Sequence, residues 1–299
     1  MRKLAPIVLF VYNRPEHTQR TVEALLQNEL AAKSELIVFC DGAKNEQSRK
    51  SVNEVKEYVH SIKGFKNIKI HEQARNLGLA NSIIAGVTEV VNNYGTIIVL
   101  EDDMVTSPYF LRYMNDALEM YENEDKVISI HGYCYPVEVK LPETFFLKGA
   151  DCWGWATWQR GWTLFNPDGA ELLNNFKTKE QIMEFNFNNS FPYFKMLRDQ
   201  VKGKIDSWAI RWYASAFLND RYTLYPGKSL VENTGFDSFA THCQGKDIYS
   251  TEILRQKIKL NKQNIIVDKL AYDLIIDFFI KSQPSLLNKT IGWIKNKLS

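Results

Sequence analysis

Three acids in a row, Glu101, Asp102 and Asp103, follow directly on the apolar run Thr96-Ile97-Ile98-Val99-Leu100. Successive carboxylates repel one another unless a cation relieves them. Hard oxygen ligands of this kind suit Mg²⁺ or Mn²⁺ bridging to a substrate phosphate. A helix-capping surface turn is the competing reading, but capping normally takes one short polar residue rather than three acids. Asp41, followed by Gly42, either begins an ordinary turn or offers a carboxylate to an N–H donor of a ligand at the strand tip. Arg75 precedes Asn76-Leu77-Gly78; it suits a phosphate or a surface acid, and the glycine lets backbone come close to a ligand ahead of a helix. Trp153, Trp155 and Trp158 lie within six residues, and their indole faces either stack on a pyranose or fill a core.

These residues need elements to hold them. Apolar β-branched runs alternate with amphipathic stretches through the first hundred residues, the pattern of parallel strands joined by crossover helices. Strands are predicted at Pro6 to Val11, Glu35 to Cys40, Ile68 to Glu72 and Thr96 to Leu100, with helices at Glu16 to Leu26, Val52 to Ser61 and Asn81 to Asn92. A nucleotide would sit where such strands end. After Asp125 a strand at Val127 to Ile130, an aromatic stretch, helical segments to about Asn219 and extended chain over Tyr222 to Val231 follow. The fold class is therefore α/β, with a mixed, mainly parallel central sheet flanked by helices. Residues 1–125 form a donor-binding half, 126–250 an acceptor and catalytic half of the same domain, and 251–299 a helical tail.

At 299 residues, 45% hydrophobic and 24% charged, the chain can bury a sizeable core. Its 37 basic against 35 acidic residues are too balanced for a surface made to neutralise nucleic acid. Four widely spaced cysteines suggest neither a zinc knuckle nor a disulfide framework and fit a reducing cytoplasm. The first residues read as a strand rather than a signal peptide, and no apolar run approaches the roughly 20 residues of a membrane span. Leu287, Ile291, Ile294 and Leu298 repeat at helical spacing beside Lys289, Lys295 and Lys297. This amphipathic segment either docks on its own protein or gives 284–299 a peripheral contact with the inner face of a membrane.

The strand ending in Glu101-Asp102-Asp103-Met104, with Pro108-Tyr109-Phe110 after it, resembles the Glu-Asp-Asp form of the DxD motif in N-acetylglucosaminyltransferase I and related bacterial family 2-like transferases of the GT-A fold. That resemblance implies metal ligation by Asp103, with Asp102 and Glu101 holding the ribose and the metal's waters. Phe10-Val11-Tyr12-Asn13-Arg14-Pro15 is similar to the first-strand motif whose Asn-Arg turn, here Asn13 and Arg14, lies against the nucleotide. Val38-Phe39-Cys40-Asp41-Gly42 is similar to the second strand end, and Arg75 to Ser82, including Asn76, to an Asn-x-Gly segment of inverting transferases. Gly154-Trp155 lies where the family has a Gly-Trp segment beneath the sugars. Lys204-Ile205-Asp206-Ser207-Trp208 resembles the Asp-x-Trp segment that carries the base, so Asp206 would take the acceptor's proton; Asp206 also suits the N-cap of a helix from Ser207 to Leu218. Ser238 to His242 is similar to a closing segment, in which His242 is either a second metal ligand or an ordinary polar residue.

The resemblance implies an inverting transferase that moves N-acetylglucosamine or another hexose from a UDP-sugar with Mn²⁺ or Mg²⁺. The acceptor would be an oligosaccharide, a lipid-linked glycan or a glycoprotein. A retaining transferase, a nucleotidyltransferase and a non-catalytic sugar-binding module share the same nucleotide-binding half.

Overall fold

The computed structural model describes residues 3–235 and 248–282. The first half alternates as expected: β1 (Ile7–Val11), α1 (Pro15–Leu26), β2 (Glu35–Cys40), α2 (Glu46–Ser61), β3 (Asn67–Glu72), α3 (Leu79–Tyr94) and β4 (Thr96–Glu101). β1 pairs in parallel with both β2 and β4, and β3 adds in parallel to β2. Helix α2 begins six residues before the predicted Val52, because Asn45 and Ser48 form a reciprocal capping box. Gly95, in the left-handed region at φ +82°, stops α3.

Past the acids lie β5 (Met104–Thr106), α4 (Phe110–Met120), β6 (Val127–His131), β7 (Thr144–Lys148) and β8 (Trp155–Trp158). Five helices follow: α5 (Gln159–Trp162), α6 (Gly169–Asn174), α7 (Lys179–Phe185), α8 (Tyr193–Val201) and α9 (Trp208–Leu218). The chain then makes β9 (Tyr222–Pro226), β10 (Val231–Asn233) and α10 (Lys269–Ser282). The extended stretch expected over Tyr222 to Val231 is thus two strands in two sheets. β9 joins the central sheet, ordered β3-β2-β1-β4-β8-β6-β9-β7, while β10 pairs antiparallel with β5.

Side-chain alternation splits the core into two layers. Ile7, Leu9, Leu36, Val38, Ile98 and Leu100 pack with Val22 and Leu25 of α1 and with Leu111 and Met114 of α4. Their strand neighbours Val8, Phe10, Ile37, Phe39, Ile97 and Val99 pack instead with Ile83 and Val87 of α3 and with Trp208 and Trp212 of α9. A period of two on strands covered on both faces produces this division. Each fully buried Val, Leu or Ile contributes about 1.5–3 kcal/mol, which fixes the register of β4 and so the place of the acids at its end. A third cluster, dominated by aromatic residues, joins Tyr133, Phe145, Phe185, Tyr213, Phe217 and Phe279 across β7, α7, α9 and α10.

Among the described residues no helix is long and apolar enough to cross a membrane. The amphipathic segment 284–299 and the closing segment with His242 lie outside the described residues.

Candidate functional site

β4 pairs with β1 as far as Glu101, which stands opposite Phe10. The acids therefore emerge where the parallel strands end. Met104 to Thr106 then turns away to pair with β10, and two bonds from the Thr234 N–H and hydroxyl to the Asp103 carbonyl, 2.8 and 3.2 Å, fasten the returning chain. The Thr21 hydroxyl of α1 donates to the Asp102 carbonyl at 2.8 Å. Backbone bonds thus position the acids and leave their carboxylates available for other partners.

Arg14 is the main one. It caps α1 ahead of Pro15, where a proline suits the first helical position. Its guanidinium hydrogen-bonds Asp102 Oδ1 and reaches Asp103 Oδ2 at 2.9 Å. Burial acts to lower the Arg14 pKa, but the Asp102 and Asp103 charges outweigh it and raise the value above that of an ordinary arginine. One guanidinium does not neutralise three acids. Burial, reinforced by Asp103 and Asp102, pushes Glu101 up to about 8, and burial pushes Asp102 up to about 6 although Arg14 opposes it.

Asp103 Oδ1 is buried and has no hydrogen-bond partner among the described residues. A Cβ at Gly235 would lie 2.3 Å from Asp103 Oδ2, so the turn after β10 closes directly over this carboxylate. No group of three or more His, Cys, Asp or Glu side chains with metal-site geometry occurs among the described residues. The residues present fit a different mode, in which a hard divalent cation takes one or two carboxylates and fills its shell with water and phosphate oxygens.

A cleft of about 370 Å³ opens beside the acids, within the range of small-molecule sites. Asn13, Arg14, Asp41, Asn76, Glu101 and Asp102 line it, so six residues singled out from the sequence share one cavity. Asp41 is more constrained than expected. Its Oδ1 accepts from the Gly42 and Leu77 N–H groups, both at 2.8 Å, and its Oδ2 from Asn76 Nδ2 at 2.9 Å and Gly78 N at 3.0 Å. These fill the four acceptor positions of a carboxylate, so a nucleobase imide reaches Asp41 only by sharing an oxygen with one of them. The carboxylate staples the end of β2 to the turn before α3, in which Gly78 has φ +79°. Gly42 allows the close approach, since a Cβ there would lie 2.4 Å from the Arg75 carbonyl carbon. The Arg75 side chain is exposed and does not line the cleft.

Sequence reasoning missed Tyr12, Lys44 and Ser82, which also line the cleft, and His17, whose Nε2 lies 3.3 Å from the Thr234 carbonyl. Lys44 had a signal, standing three residues after Asp41. His17 had none, because its proximity depends on β10 returning to the tip of β4.

The tryptophans required correction. Trp155 is fully buried, with ring centroids 5.6 to 5.8 Å from Trp162, Trp208 and Trp212. On β8 its side chain falls on the face covered by α5 and α9, so it serves as core and offers no wall to a sugar. Trp158 is likewise buried and donates to the Leu118 carbonyl at 3.1 Å. Trp153, ahead of the strand, does line a second cavity of about 320 Å³.

Asp206 is exposed and 3.8 Å from Arg211. It is not the cap of α9: Ser207 accepts from the Ile210 N–H, and the helix begins at Trp208. Ser207, the next residue along the chain, lines the second cavity, whereas Asp206 is not among its described lining residues.

Comparison with solved structures returns distant likenesses. TarS from S. aureus, residues 1–349, matches at TM-score 0.41 and 10% identity over 77% of this chain and 60% of that one; this chain thus spans less than two thirds of that structure. A mannosyltransferase from Pyrobaculum calidifontis, in complex with GDP-Man and Mn²⁺, matches at TM-score 0.36 and 12% identity, covering 72% of this chain and 70% of the other. A UDP-glucose pyrophosphorylase complexed with UDP-glucose matches at TM-score 0.37 and 12% identity, covering 75% and 90%. No curated protein matches the chain. The family model described as glycosyl transferase family 2 matches residues 7–199. That span runs from β1 through the acids, the cleft and β8 into α8, and on it the chain belongs to glycosyl transferase family 2.

Proposed function

We propose that this chain transfers a hexose, N-acetylglucosamine or a close relative, from a UDP-sugar to a hydroxyl of a glycan, lipid-linked glycan or glycoprotein, inverting the anomeric centre. The observation that carries the reading is the buried Oδ1 of Asp103, without a hydrogen-bond partner among the described residues, beside a cleft lined by Arg14, Asp41 and Asp102. The donor half is residues 1–125 and the acceptor half 126–250. Asn13, Asp41 and Asn76 face the nucleoside, and Lys44 and Arg14 meet the diphosphate.

Asp103, through Oδ1, is the residue to hold Mn²⁺ or Mg²⁺, with Asp102 kept in place by Arg14. When bound, such a cation supplies positive charge opposite the departing diphosphate. The acceptor oxygen attacks C1 of the donor sugar as the C1–O bond to the diphosphate breaks, and UDP leaves with that bond's electron pair. Asp206 takes the acceptor's proton. Its exposed position beside Ser207 leaves it free to meet an acceptor at the edge of the aromatic cavity.

The test is UDP release from a panel of UDP-sugars with Mn²⁺ and mixed glycoside acceptors, in the native chain and in Asp103→Ala and Asp206→Ala. The reading expects donor-specific turnover that collapses in both variants while Asp206→Ala still binds UDP. Native-level transfer by Asp206→Ala would remove it as the base. UDP binding with neither hydrolysis nor transfer of any donor would make the chain a binding module. An α-configured product from an α-linked donor would reverse the stereochemical assignment.

A further inference from the structure

Resting on the transferase reading, we infer that the cavity built around Asp151 and Trp153 is the acceptor's sugar site and that it selects an uncharged pyranose. Its walls include Trp153, Tyr193, Tyr213, Tyr249 and Phe279, and among the described residues Asp151 is its one acidic side chain. Among the described residues no Lys, Arg or His lines it. Aromatic rings with polar edges suit the apolar C–H face of a pyranose and its surrounding hydroxyls. At about 320 Å³ the cavity falls at the small end of ligand sites.

Asp151 is held but not used up. Its Oδ2 accepts from the Tyr135 hydroxyl at 2.9 Å and its Oδ1 from the Cys152 N–H at 3.0 Å. A carboxylate has about four acceptor positions, so each oxygen retains one for a sugar hydroxyl. With no Lys, Arg or His among the described lining residues, the Asp151 carboxylate repels a uronate, a sialic acid or a sugar phosphate by the same charge. Burial, with Asp151 adding to it, holds the Tyr193 and Tyr213 hydroxyls well above the ordinary tyrosine value, so they remain neutral.

The cavity adjoins the donor side. Cys152, on its wall, is close enough to Glu101 and Asp103 for both charges to act on its thiol. The Trp153 N–H donates to His131 Nε2 at 3.0 Å, and a Cβ at Gly154 would meet Leu100 at 3.5 Å, one residue before the acids. Ser207, next to Asp206 in the chain, also lines the cavity.

The experiment is ligand-observed saturation-transfer NMR on the full chain with UDP present, using methyl glycosides of glucose, galactose, mannose and N-acetylglucosamine against methyl glucuronide. UDP affinity is measured separately by calorimetry. At least one neutral glycoside should bind and the glucuronide should not. Asp151→Asn, which keeps the shape and removes the charge, should weaken the neutral ligand about tenfold, as expected for loss of a hydrogen bond to a charged group, and should admit the glucuronide. UDP affinity should not change, an outcome that a merely structural role for Asp151 would not combine with altered charge selectivity. Failure of every neutral glycoside to bind a chain that binds UDP overturns the inference and leaves the transferase reading standing. So does glucuronide binding equal to that of the neutral ligands, or an Asp151→Asn variant with unaltered selectivity. A chain that does not bind UDP at all overturns both readings.

Discussion

The guanidinium of Arg14 lies 2.9 Å from Asp103 Oδ2 and also holds Asp102, bridging two of the three acids at the end of β4. It is the protein's own cation at a place where negative charge would otherwise be unrelieved. Arg14→Ala should therefore destabilise the fold. Its side chain is 37% exposed, so the cost of breaking a buried pair is discounted for solvent screening to about 1–2 kcal/mol. Urea midpoints measured with and without Mn²⁺ test this, with the cation expected to recover part of the loss in the variant. An unchanged midpoint would mean that Arg14 is not what relieves the acids.

Asp103→Asn separates chemistry from folding. The bonds that fasten β10 use the Asp103 carbonyl, which the substitution leaves in place. Melting should shift little, while sugar transfer should fall by about a hundredfold or more, the usual scale for losing one electrostatic group at the reacting charge. Comparing the melting curve with the UDP-release rate decides between the two.

Gly42→Ala should damage the cleft from outside the reaction. The added Cβ would lie 2.4 Å from a backbone atom of Arg75, and backbone cannot swing aside as a flexible side-chain end can. A cost of about 1–3 kcal/mol is expected, together with weaker UDP binding as the Asp41 staple is disturbed. Chemical denaturation and calorimetry measure the two effects.

Trp153 and Trp155 should behave oppositely. Trp155→Ala opens a hole among Trp162, Trp208 and Trp212 and should cost about 3–5 kcal/mol. Trp153→Ala, at the wall of the acceptor cavity, should cost less stability and reduce acceptor-stimulated UDP release more than acceptor-free hydrolysis. Loss of acceptor response without loss of stability in Trp155→Ala would contradict this division.

His131 should make the chain acid-sensitive. Burial lowers its pKa below the ordinary histidine value, so the unfolded chain takes up its proton first as pH falls. Stability from this group is complete above about pH 6.5 and declines from there toward the folded pKa, by at most about 1.4 kcal/mol per pH unit. Urea midpoints on either side of that window should differ less in His131→Gln than in the native chain.

Much of the donor half was legible because its information is local. Continuous apolar, β-branched runs at Ile7 to Val11, Glu35 to Cys40 and Thr96 to Leu100 name strands covered on both faces, and the left-handed stop at Gly95 needs only its neighbours. The α2 start was misplaced because the Asn45 and Ser48 box is polar and leaves no apolar period to follow. β5, β7, β8 and α4 went without assignment, and the single extended stretch over Tyr222 to Val231 hid a change of sheet.

By itself the sequence determined the alternating α/β plan and the carboxylates at the end of a buried strand, since hydrophobic period and turn chemistry are written residue by residue. Only the tertiary structure decided that Arg14 rather than Arg75 meets the acids' side of the cleft, and that Ser207 rather than Asp206 caps α9. It also decided that Trp155 is core while Trp153 and Asp151 line a cavity. Which way a side chain faces depends on strand register and on the layer that covers it, and both are set by pairing between segments dozens of residues apart.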